Sequence, residues 1–464
     1  MYFVETKLLR PMASRISSYW NLHKFSILMV LASLLFYTSF AYDLVRTDFI
    51  KLISLFFALF FLCFKLIQFE KWNFNFLLLS GILFRLVFLL VEPNLSQDFY
   101  RFIWDGELVL AGINPYLQSP DAIMENGEIL LANAQELHTG MGSLSARHYS
   151  NYPPLNQLLF AISVFLGGKS IMGSLIAMRS IIVLADIGIY YFGKKLLRHL
   201  NRSPHLIFWY FLNPLVIIEL TGNLHFEGVM LFFFIWGLCL LTLNKWLFAA
   251  IAFACSILVK LVPLMFLPLF IGYFGFRKSI KFYIVLGLII LLGVLPFYSP
   301  LFLNNYTDTV GLWFSNFEFN AGFYNLIKLI AIEFDAKPWE LIKIYGKLIP
   351  YTMIGLVFLL TFLMDNKKLS VLISSIFWVL ALYYFLSPTV HPWYIIFLLG
   401  LSIFTDYRFP LAWSLVIILS YSAYENPEFK ENLGLIFIEY FVVFGFMAYE
   451  IFKLNRQKLL IRKN

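Results

Sequence analysis

The sequence predicts an all-α polytopic membrane protein with about 12–14 transmembrane helices. Of its 464 residues, 61% are hydrophobic and only 13% are charged, whereas soluble proteins carry about 25% charged residues. Phe, Trp and Tyr together make up 19% of the chain, and long apolar runs recur along most of it. These observations exclude a soluble globular fold, a disordered chain and a disulfide scaffold.

Each predicted crossing rests on an apolar run, because the hydrocarbon core of a bilayer needs about 20 apolar residues per helix. The candidate spans are 25–42, 49–67, 73–91, 171–192, 204–220, 225–243, 246–260, 263–275, 282–300, 348–364, 369–386, 390–405, 410–422 and 433–453. Residues 152–168 are also apolar, but a crossing there would invert every following loop. We therefore predict that 152–168 is a short re-entrant or surface helix.

The distribution of Lys and Arg predicts the orientation. If the N-terminus is cytoplasmic, the inner segments hold roughly twice as many Lys and Arg as the outer ones, as cytoplasmic loops do. The net charge of +8 is thereby explained without an acidic partner, and the sequence has no arginine-aromatic cluster of the RNA-binding type, so we expect no nucleic acid. We predict a multi-pass integral membrane protein, in the inner membrane if it is bacterial.

Two outer loops are long, 92–151 and 301–347, and we expect amphipathic helices in the headgroup plane within them. Three further polar clusters fall on the same outer face. They are Asn223, His225 and Glu227 in GNLHFEG, Lys260 in ILVKLVP, and His391 in SPTVHPW. Each has a simpler explanation, since polar residues at helix ends are often just solvated and a lysine can snorkel to the headgroups. Their convergence on one face favours a functional site.

The first outer loop contains Asp98, Arg101 and Asp105 at positions i, i+3 and i+7. On a helix these side chains share one face, so Arg101 can pair with either carboxylate. A nearby guanidinium keeps a carboxylate ionised and able to act as a base. The alternative is a surface helix for which Asp98 is merely the N-cap.

Three charged residues fall within predicted spans, where each costs about 2.5–3.5 kcal/mol on insertion scales. Arg179 and Asp186 are seven residues apart, hence on one face of a helix, and Arg85 lies in the span that leads to the first outer loop. We predict that Arg85, Arg179 and Asp186 form an internal ion pair that holds these two spans together. A direct role in chemistry is the alternative.

An ordered series of motifs resembles the GT-C superfamily of integral-membrane glycosyltransferases. The series is DxYRxxWDGxxxxxGxNPY, then YPPL, NPLxxxExxGNxHxEG, KLVPLxxLP and a late HPWY. Within the superfamily it is most similar to the bacterial polyprenol-phosphate-mannose-dependent mannosyltransferases. The likeness spans about residues 73–405 and is specific as a series, although each motif alone is weak.

The resemblance implies a GT-C-type fold and a domain organisation. It implies a catalytic module over 73–347, in which a lipid-binding outer loop, 301–347, follows the seventh helix. Residues 1–72 are then an N-terminal extension with two additional transmembrane helices, to which we can assign no function. Residues 348–464 supply the C-terminal transmembrane helices.

The resemblance also implies roles for the polar residues. Asp98 takes the position of the catalytic base, with Asp105 as the second choice. His391 falls at a position near the lipid phosphate, and we expect Lys260 and Arg101 to stabilise that phosphate as well. His225 and Glu227, with Asn223 beside them, match a second acidic site where relatives often have Asp instead of Glu227.

Taken together, these features predict transfer of a hexose, mannose by resemblance, from a polyprenyl-phosphate donor to an acceptor hydroxyl on the non-cytoplasmic face. The acceptor could be a glycan, a lipid or a glycolipid, and a single displacement would invert the anomeric centre. The sequence has no P-loop, no Rossmann fingerprint and no nucleotide-type DxD, which argues against a nucleotide sugar. We expect no cofactor; a divalent metal at Asp98, His225 and Glu227 is the alternative.

Two other functions would also suit a chain with many apolar helices. A secondary transporter or lipid flippase usually has paired repeats and a site at mid-membrane, and we find no such repeat in the sequence. A surface-polysaccharide ligase or polymerase usually relies on Arg and His in a late outer loop, whereas 301–347 contains neither.

Overall fold

The computed structural model describes residues 5–127 and 131–463, and it is helical nearly throughout. The first eight α-helices are α1 (Glu5–Thr38), α2 (Phe49–Glu70), α3 (Phe74–Leu86), α4 (Asp98–Leu110), α5 (Pro120–Asn126), α6 (Ala134–Ala146), α7 (Pro154–Leu166) and α8 (Ile171–His199). The central helices are α9 (Phe208–Phe211), α10 (Pro214–Val216), α11 (Glu227–Thr242), α12 (Trp246–Val259), α13 (Leu269–Phe274) and α14 (Phe276–Val294).

The C-terminal part has seven more α-helices. They are α15 (Pro300–Ser315), α16 (Gly322–Glu333), α17 (Pro338–Leu363), α18 (Leu369–Leu386), α19 (Ile395–Ser402), α20 (Phe409–Val416) and α21 (Leu433–Lys463). Short 3₁₀ or π-helical turns extend or join several of these helices: Ser39–Asp43, Pro204–Ile207, Ile217–Gly222, Val262–Phe266, Leu295–Phe297, Pro392–Tyr394 and Ile417–Glu425. One isolated bridge between Phe319 and Thr389 is the only β pairing among the described residues.

Seven helices in the described residues are long and apolar enough to cross a membrane, which confirms an all-α polytopic membrane protein. They are Ser18–Asp43, Phe49–Glu70, Ile171–His199, Phe276–Phe297, Pro338–Leu363, Leu369–Leu386 and Leu433–Arg456. The pair Pro204–Phe211 and Pro214–Gly222 passes the same test as one span bent by 52°. Several predicted crossings correspond instead to apolar helices of 10–17 residues: Phe74–Leu86, Glu227–Thr242, Trp246–Val259 and Pro392–Ser402.

Polar residues at the predicted loop boundaries start several of these helices. Asp48 accepts a hydrogen bond from the Lys51 amide at 3.1 Å and so caps α2. The side chains of Asn73 and Ser170 cap α3 and α8 in the same way. Such caps satisfy backbone donors that the first turn of a helix leaves without partners. The starts of these helices are therefore determined by capping residues that can be recognised in the sequence.

The second outer loop is shorter than predicted. We expected it to end at residue 347, but α17 begins at Pro338, after the extended residue Lys337. Proline is well tolerated at the first helical position because its missing amide has no partner there. The predicted span 348–364 is thus the second part of a helix that already began at Pro338. Within the remaining loop the chain forms α15 and α16.

Helix α7 keeps both of its ends beside the first outer loop. The Tyr116 hydroxyl donates to the Tyr152 carbonyl at 2.5 Å, just before α7. After α7, the Asn133 side chain donates to the Lys169 carbonyl at 3.1 Å. The helix has 13 residues, fewer than the roughly 20 that a crossing needs; that 152–168 does not cross stays a prediction.

Contacts between loops fall into two groups, one at each end of the helix bundle. We call these ends the inner end and the outer end. At the inner end Arg202 pairs with Asp406 at 2.6 Å, and Trp72 lies against His205. At the outer end the loops around residues 44–48, 92–151, 223–226, 389–392 and 423–432 meet. The membrane topology and the compartment that each end faces stay predictions.

Candidate active site

The centre of the outer end is an ion pair between two helix termini. Glu227 is the first residue of α11, and Lys260 follows the last residue of α12. The Lys260 ammonium group donates to Glu227 Oε1, and Glu227 is buried. The Ser256 hydroxyl donates to the Met230 carbonyl at 2.8 Å and fixes the two helices against each other. The pair is thus held by the packing of α11 on α12.

Asp98 lies beside this pair. It is half-buried at the start of α4, and its amide donates to the Ser96 hydroxyl at 3.3 Å. Burial raises the pKa of Asp98, and the nearby charge of Glu227 raises it further, whereas Lys260 opposes both. The structure therefore brings together Asp98, Glu227 and Lys260, which come from three distant segments.

A stack of aromatic rings forms one wall of the site. His225 lies over Trp393 with ring centroids 3.8 Å apart, and His391 lies on Trp393 at 4.4 Å with nearly parallel planes. Burial among these rings and the charge of Lys260 lower the pKa of His391 to about 3. Both causes also lower the pKa of His225, with His391 adding to them. Both imidazoles are thus neutral at pH 7.

Several polar atoms of the wall remain available. Among the described residues, His391 Nδ1 and Glu227 Oε2 are buried without a hydrogen-bond partner. His225 Nε2 also has none, although it lies 3.6 Å from Glu219 Oε2. Buried polar atoms are normally paired, and an unpaired one needs an explanation such as a ligand or an unseen water. The site can therefore receive further hydrogen bonds from a bound molecule.

Asn223 supports the site from behind. Its amide donates to Glu219 Oε2 at 3.1 Å and its oxygen accepts the Leu95 amide at 3.4 Å. The Tyr421 hydroxyl donates to the other Glu219 oxygen at 2.7 Å. Asn223 therefore links the segment before Asp98 to Glu219. Glu219 was not predicted as a site residue, because it falls within an apolar span, although the motif NPLxxxExxGN contains it.

Arg101 and Asp105 do not lie where we expected them. Asp105 is fully buried, and both of its carboxylate oxygens are occupied. Arg101 Nε donates to one oxygen at 2.7 Å, while Ser150 and Gln157 donate to the other at 2.5 and 3.0 Å. The Arg101 guanidinium also donates to the Ser145 and His148 carbonyls. Asp105 is thus not available as a base, nor Arg101 to a phosphate; they fasten α4 to the rest of its loop.

The predicted ion pair within the spans exists between two of its three members. Arg85 Nε donates to Asp186 at 2.8 Å, and Tyr210 donates to the other oxygen at 2.9 Å. Arg179 was wrongly included, because seven residues of helix separate it from Asp186 by about 10 Å. Its guanidinium donates instead to the carbonyls of Leu89, Thr221 and Gly222. Arg179 thereby fixes the turn that leads into Asn223 and His225.

Three further residues at the site were missed by the sequence analysis. Trp393 and Tyr394 belong to the HPWY motif, of which only the histidine was considered, and they contact His391 directly. Arg46 comes from the turn between α1 and α2, and its charge acts on Asp98. No sequence signal connects so short a turn with residues so far along the chain.

The donor set does not form an evident metal site. Within residues 5–127 and 131–463, no three His, Cys, Asp or Glu side chains are grouped as a bound metal ion would require. Lys260 occupies one oxygen of Glu227, and a cation in that position competes with a metal for the carboxylate.

Known proteins share the segment that carries most of this site. Residues 46–275 match the family described as Alpha-(1->6)-mannopyranosyltransferase, N-terminal domain. Over this segment, just under half of its length, the chain is similar to the alpha-(1->6)-mannopyranosyltransferases. The resemblance inferred from the ordered motifs is thus confirmed, and the matched segment includes Arg46, Asp98, Glu227 and Lys260.

Two curated relatives come from Corynebacterium glutamicum strain ATCC 13032. Alpha-(1->6)-mannopyranosyltransferase B is 27% identical over 151 residues, which are 32% of this chain and 24% of that protein. Alpha-(1->6)-mannopyranosyltransferase A is 25% identical over 195 residues, which are 41% of this chain and 37% of that protein. The chain therefore aligns with well under half the length of either relative.

Proposed function

We propose that this protein is a membrane mannosyltransferase that uses a polyprenyl-phosphate-linked donor. The observation that carries the proposal is the assembly of Asp98, Glu227 and Lys260 in one site at the outer end. The similarity of residues 46–275 to alpha-(1->6)-mannopyranosyltransferases supports mannose as the sugar. The acceptor is a hydroxyl of a glycan, a lipid or a glycolipid.

Asp98 is the proposed general base. An acceptor hydroxyl is a poor nucleophile at neutral pH, so a carboxylate must take its proton as the new bond forms. The acceptor oxygen attacks the anomeric carbon, the bond from that carbon to the phosphate oxygen breaks, and its electron pair stays with the phosphate. A single displacement of this kind inverts the anomeric configuration.

Lys260 and His391 are the proposed stabilisers of the departing phosphate. Lys260 is a cation, and neutral His391 can act as a hydrogen-bond donor through one ring nitrogen. They accelerate the reaction only if they bind the leaving phosphate more strongly than the intact donor. Glu227 orients Lys260 through the ion pair, and we propose no cofactor for the reaction.

The location of the site supports a lipid-linked donor. Nucleotide sugars stay in the cytosol, whereas the Lys and Arg distribution predicts that the outer end faces the other side of the membrane. A polyprenyl phosphate presents its sugar at that surface. The protein is therefore proposed to act at the periplasmic or outer face, if it is bacterial.

The test is transfer of labelled mannose from polyprenyl-phosphate mannose in membranes that contain the protein. We expect transfer by the wild type and a loss of about 10²–10⁴-fold in Asp98→Asn, the usual contribution of a general base. Equal transfer by Asp98→Asn would remove Asp98 from the mechanism. Absence of transfer from any polyprenyl-phosphate sugar would favour a transporter or flippase instead.

A further inference from the structure

The turn that joins α1 to α2 is held firmly against the active site. The Asn94 side chain donates to the Phe40 carbonyl at 2.7 Å and to the Leu44 carbonyl at 3.3 Å. Asn94 lies four residues before Asp98. On the other side, α2 packs against the Ile417–Glu425 segment, which carries Tyr424. The position of Arg46 within this turn is therefore defined by both neighbours.

Arg46 is a cation with unused hydrogen-bonding capacity. The centre of its guanidinium lies 3.6 Å from the centroid of the Tyr424 ring and 5.7 Å from that of Phe429. Its Nε is buried without a hydrogen-bond partner, and within the described part of the chain Arg46 forms no ion pair with a carboxylate. An aromatic face holds a guanidinium flat and leaves the donors at its edge free.

The unused donors of Arg46 belong to the same site. Tyr424 lies 6.4 Å from Phe319, which stacks on His391 at 4.8 Å. The Tyr394 ring meets His391 edge to face, with centroids 5.3 Å apart, and the Lys260 ammonium group lies 5.9 Å from the Tyr394 centroid. The charge of Arg46 also lowers the pKa of Asp98. Arg46 and Lys260 each lie over a tyrosine ring, and the two tyrosines are linked through Phe319 and His391.

The two cations differ in how much charge is left for a ligand. Lys260 is already neutralised by Glu227, whereas Arg46 has no carboxylate partner. A donor phosphodiester carries one negative charge, and the departing phosphate monoester gains a second. A planar guanidinium binds phosphate oxygens through two parallel hydrogen bonds. Arg46 can thus offer the phosphate a positive charge that no carboxylate of the described residues neutralises, whereas the charge of Lys260 is neutralised by Glu227.

We propose that Arg46 binds the phosphate of the lipid-linked donor and stabilises it as it departs. This proposal rests on the proposed function. It gives the two N-terminal helices a role, because they carry Arg46 into the site. It also replaces Arg101, which the sequence analysis assigned to the phosphate and which the structure commits to Asp105.

Binding by the purified full-length protein tests the proposal without relying on turnover. The probes are polyprenyl phosphate and polyprenol of the same chain length, which differ only in the phosphate. We expect the wild type to bind polyprenyl phosphate more tightly. Arg46→Gln, which removes the charge but keeps a long polar side chain, should weaken that binding about 10- to 100-fold, as expected for a lost charge-assisted hydrogen bond, without changing polyprenol binding.

Two further variants sharpen the result. Arg46→Lys keeps the charge and should restore part of the phosphate affinity. Arg147→Ala removes an exposed arginine from the same end and should behave as the wild type. Thermal unfolding of each variant shows whether it has folded; if Arg46→Gln does not fold, the comparison of Arg46→Lys with the wild type still tests the bidentate contact, which a lysine cannot make.

The outcomes separate the inference from the proposed function. If the wild type prefers polyprenyl phosphate and a folded Arg46→Gln keeps that preference, the inference is overturned and the proposed function stands. If Arg46→Gln does not fold, equal affinity of Arg46→Lys and the wild type overturns it. If the wild type binds both lipids equally, the lipid-phosphate donor is wrong, and the role of Arg46 falls with it.

Discussion

Asp98 shows how a residue acquires its chemistry from neighbours that are distant in sequence. Its own segment places it at the start of α4, where it is half-buried, and burial raises the pKa of a carboxyl group. Lys260 lowers this pKa and Glu227 raises it. The basicity of Asp98 is therefore set by the ion pair between α11 and α12. A change in either partner should move the pH dependence of the reaction.

The direction of that movement can be predicted. A carboxylate base loses activity as the pH falls through its pKa. In Glu227→Gln a negative neighbour is lost, so the pKa of Asp98 falls and the acid limb of kcat/KM moves to lower pH. In Lys260→Met a positive neighbour is lost, so the limb moves to higher pH. The pH profile of mannosyl transfer in membranes measures both shifts.

The control for this pair is Arg147→Ala, whose profile should match the wild type because Arg147 does not act on Asp98. Shifts of the two variants in the same direction would contradict the assignment of Asp98 as the group that titrates. Neither result depends on the absolute rate, which both substitutions are expected to lower.

Residue types were predicted better than residue roles. Five site residues were predicted from the sequence, and the structure brings them together: Asp98, Lys260, His225, Glu227 and His391. The family resemblance ranked Asp98 before Asp105, but helical spacing alone could not distinguish them, because both lie on the same helix in the same motif. The difference lies in Ser150 and Gln157, which occupy Asp105 from another part of the chain. Helical spacing alone carries no information about such partners.

At the scale of the element, α4 contains a buried ion pair between Arg101 and Asp105. Both members also bind residues 145–157, which follow α4 in the chain, so the pair should contribute to stability. Asp105→Asn leaves the charge of Arg101 buried without its partner, at a cost of about 3–5 kcal/mol. We expect a clearly lower unfolding temperature in detergent. Asp98→Asn, which breaks no ion pair seen among the described residues, is the matched control and should unfold near the wild-type temperature. Equal temperatures for both would contradict a structural role for Asp105.

The contact between α4 and α7 depends on a glycine. A Cβ on Gly106 would lie 2.8 Å from the backbone carbonyl group of Phe160 in α7, closer than such atoms can approach. Although alanine is favoured over glycine in a helix by about 1 kcal/mol, we expect Gly106→Ala to destabilise the protein. Gly287→Ala, in α14, meets nothing within 4 Å and should be neutral or stabilising. Thermal unfolding of the two variants tests the prediction; a stable Gly106→Ala would contradict it.

Helices were predicted well where local signals exist. Apolar runs and capping residues such as Asp48 and Asn73 are visible in the sequence, so most helices were expected. The bent segment over 204–222 and the early start of α17 at Pro338 were not. In both, a helix begins at a proline, Pro214 or Pro338, and hydropathy alone does not record such a helix start.

At the scale of the whole molecule, loops far apart in sequence meet at two opposite ends, and the catalytic proposal uses only one. The outer end contains Asp98, Glu227 and the guanidinium of Arg46, which lies over Tyr424 and has no carboxylate partner among the described residues. At the inner end, by contrast, basic residues such as Arg202 and Arg408 are tied to carbonyls or carboxylates. A lipid-linked substrate can reach only an end that faces its own leaflet. The orientation of the molecule thus decides which donor the site can meet.

Labelling of single cysteines tests this orientation. We predict that a cysteine at the exposed residue Asn126 in the first outer loop reacts with a membrane-impermeant maleimide added outside intact cells. A cysteine at Lys278, exposed near the start of α14, should react only after the membrane is opened. Because Cys63 and Cys239 are buried and Cys255 is partly so, a cysteine-free parent is the background for both. Labelling of Lys278→Cys from outside, with Asn126→Cys protected, would place the site in the cytosol, where nucleotide sugars are available, and would contradict the lipid-linked donor.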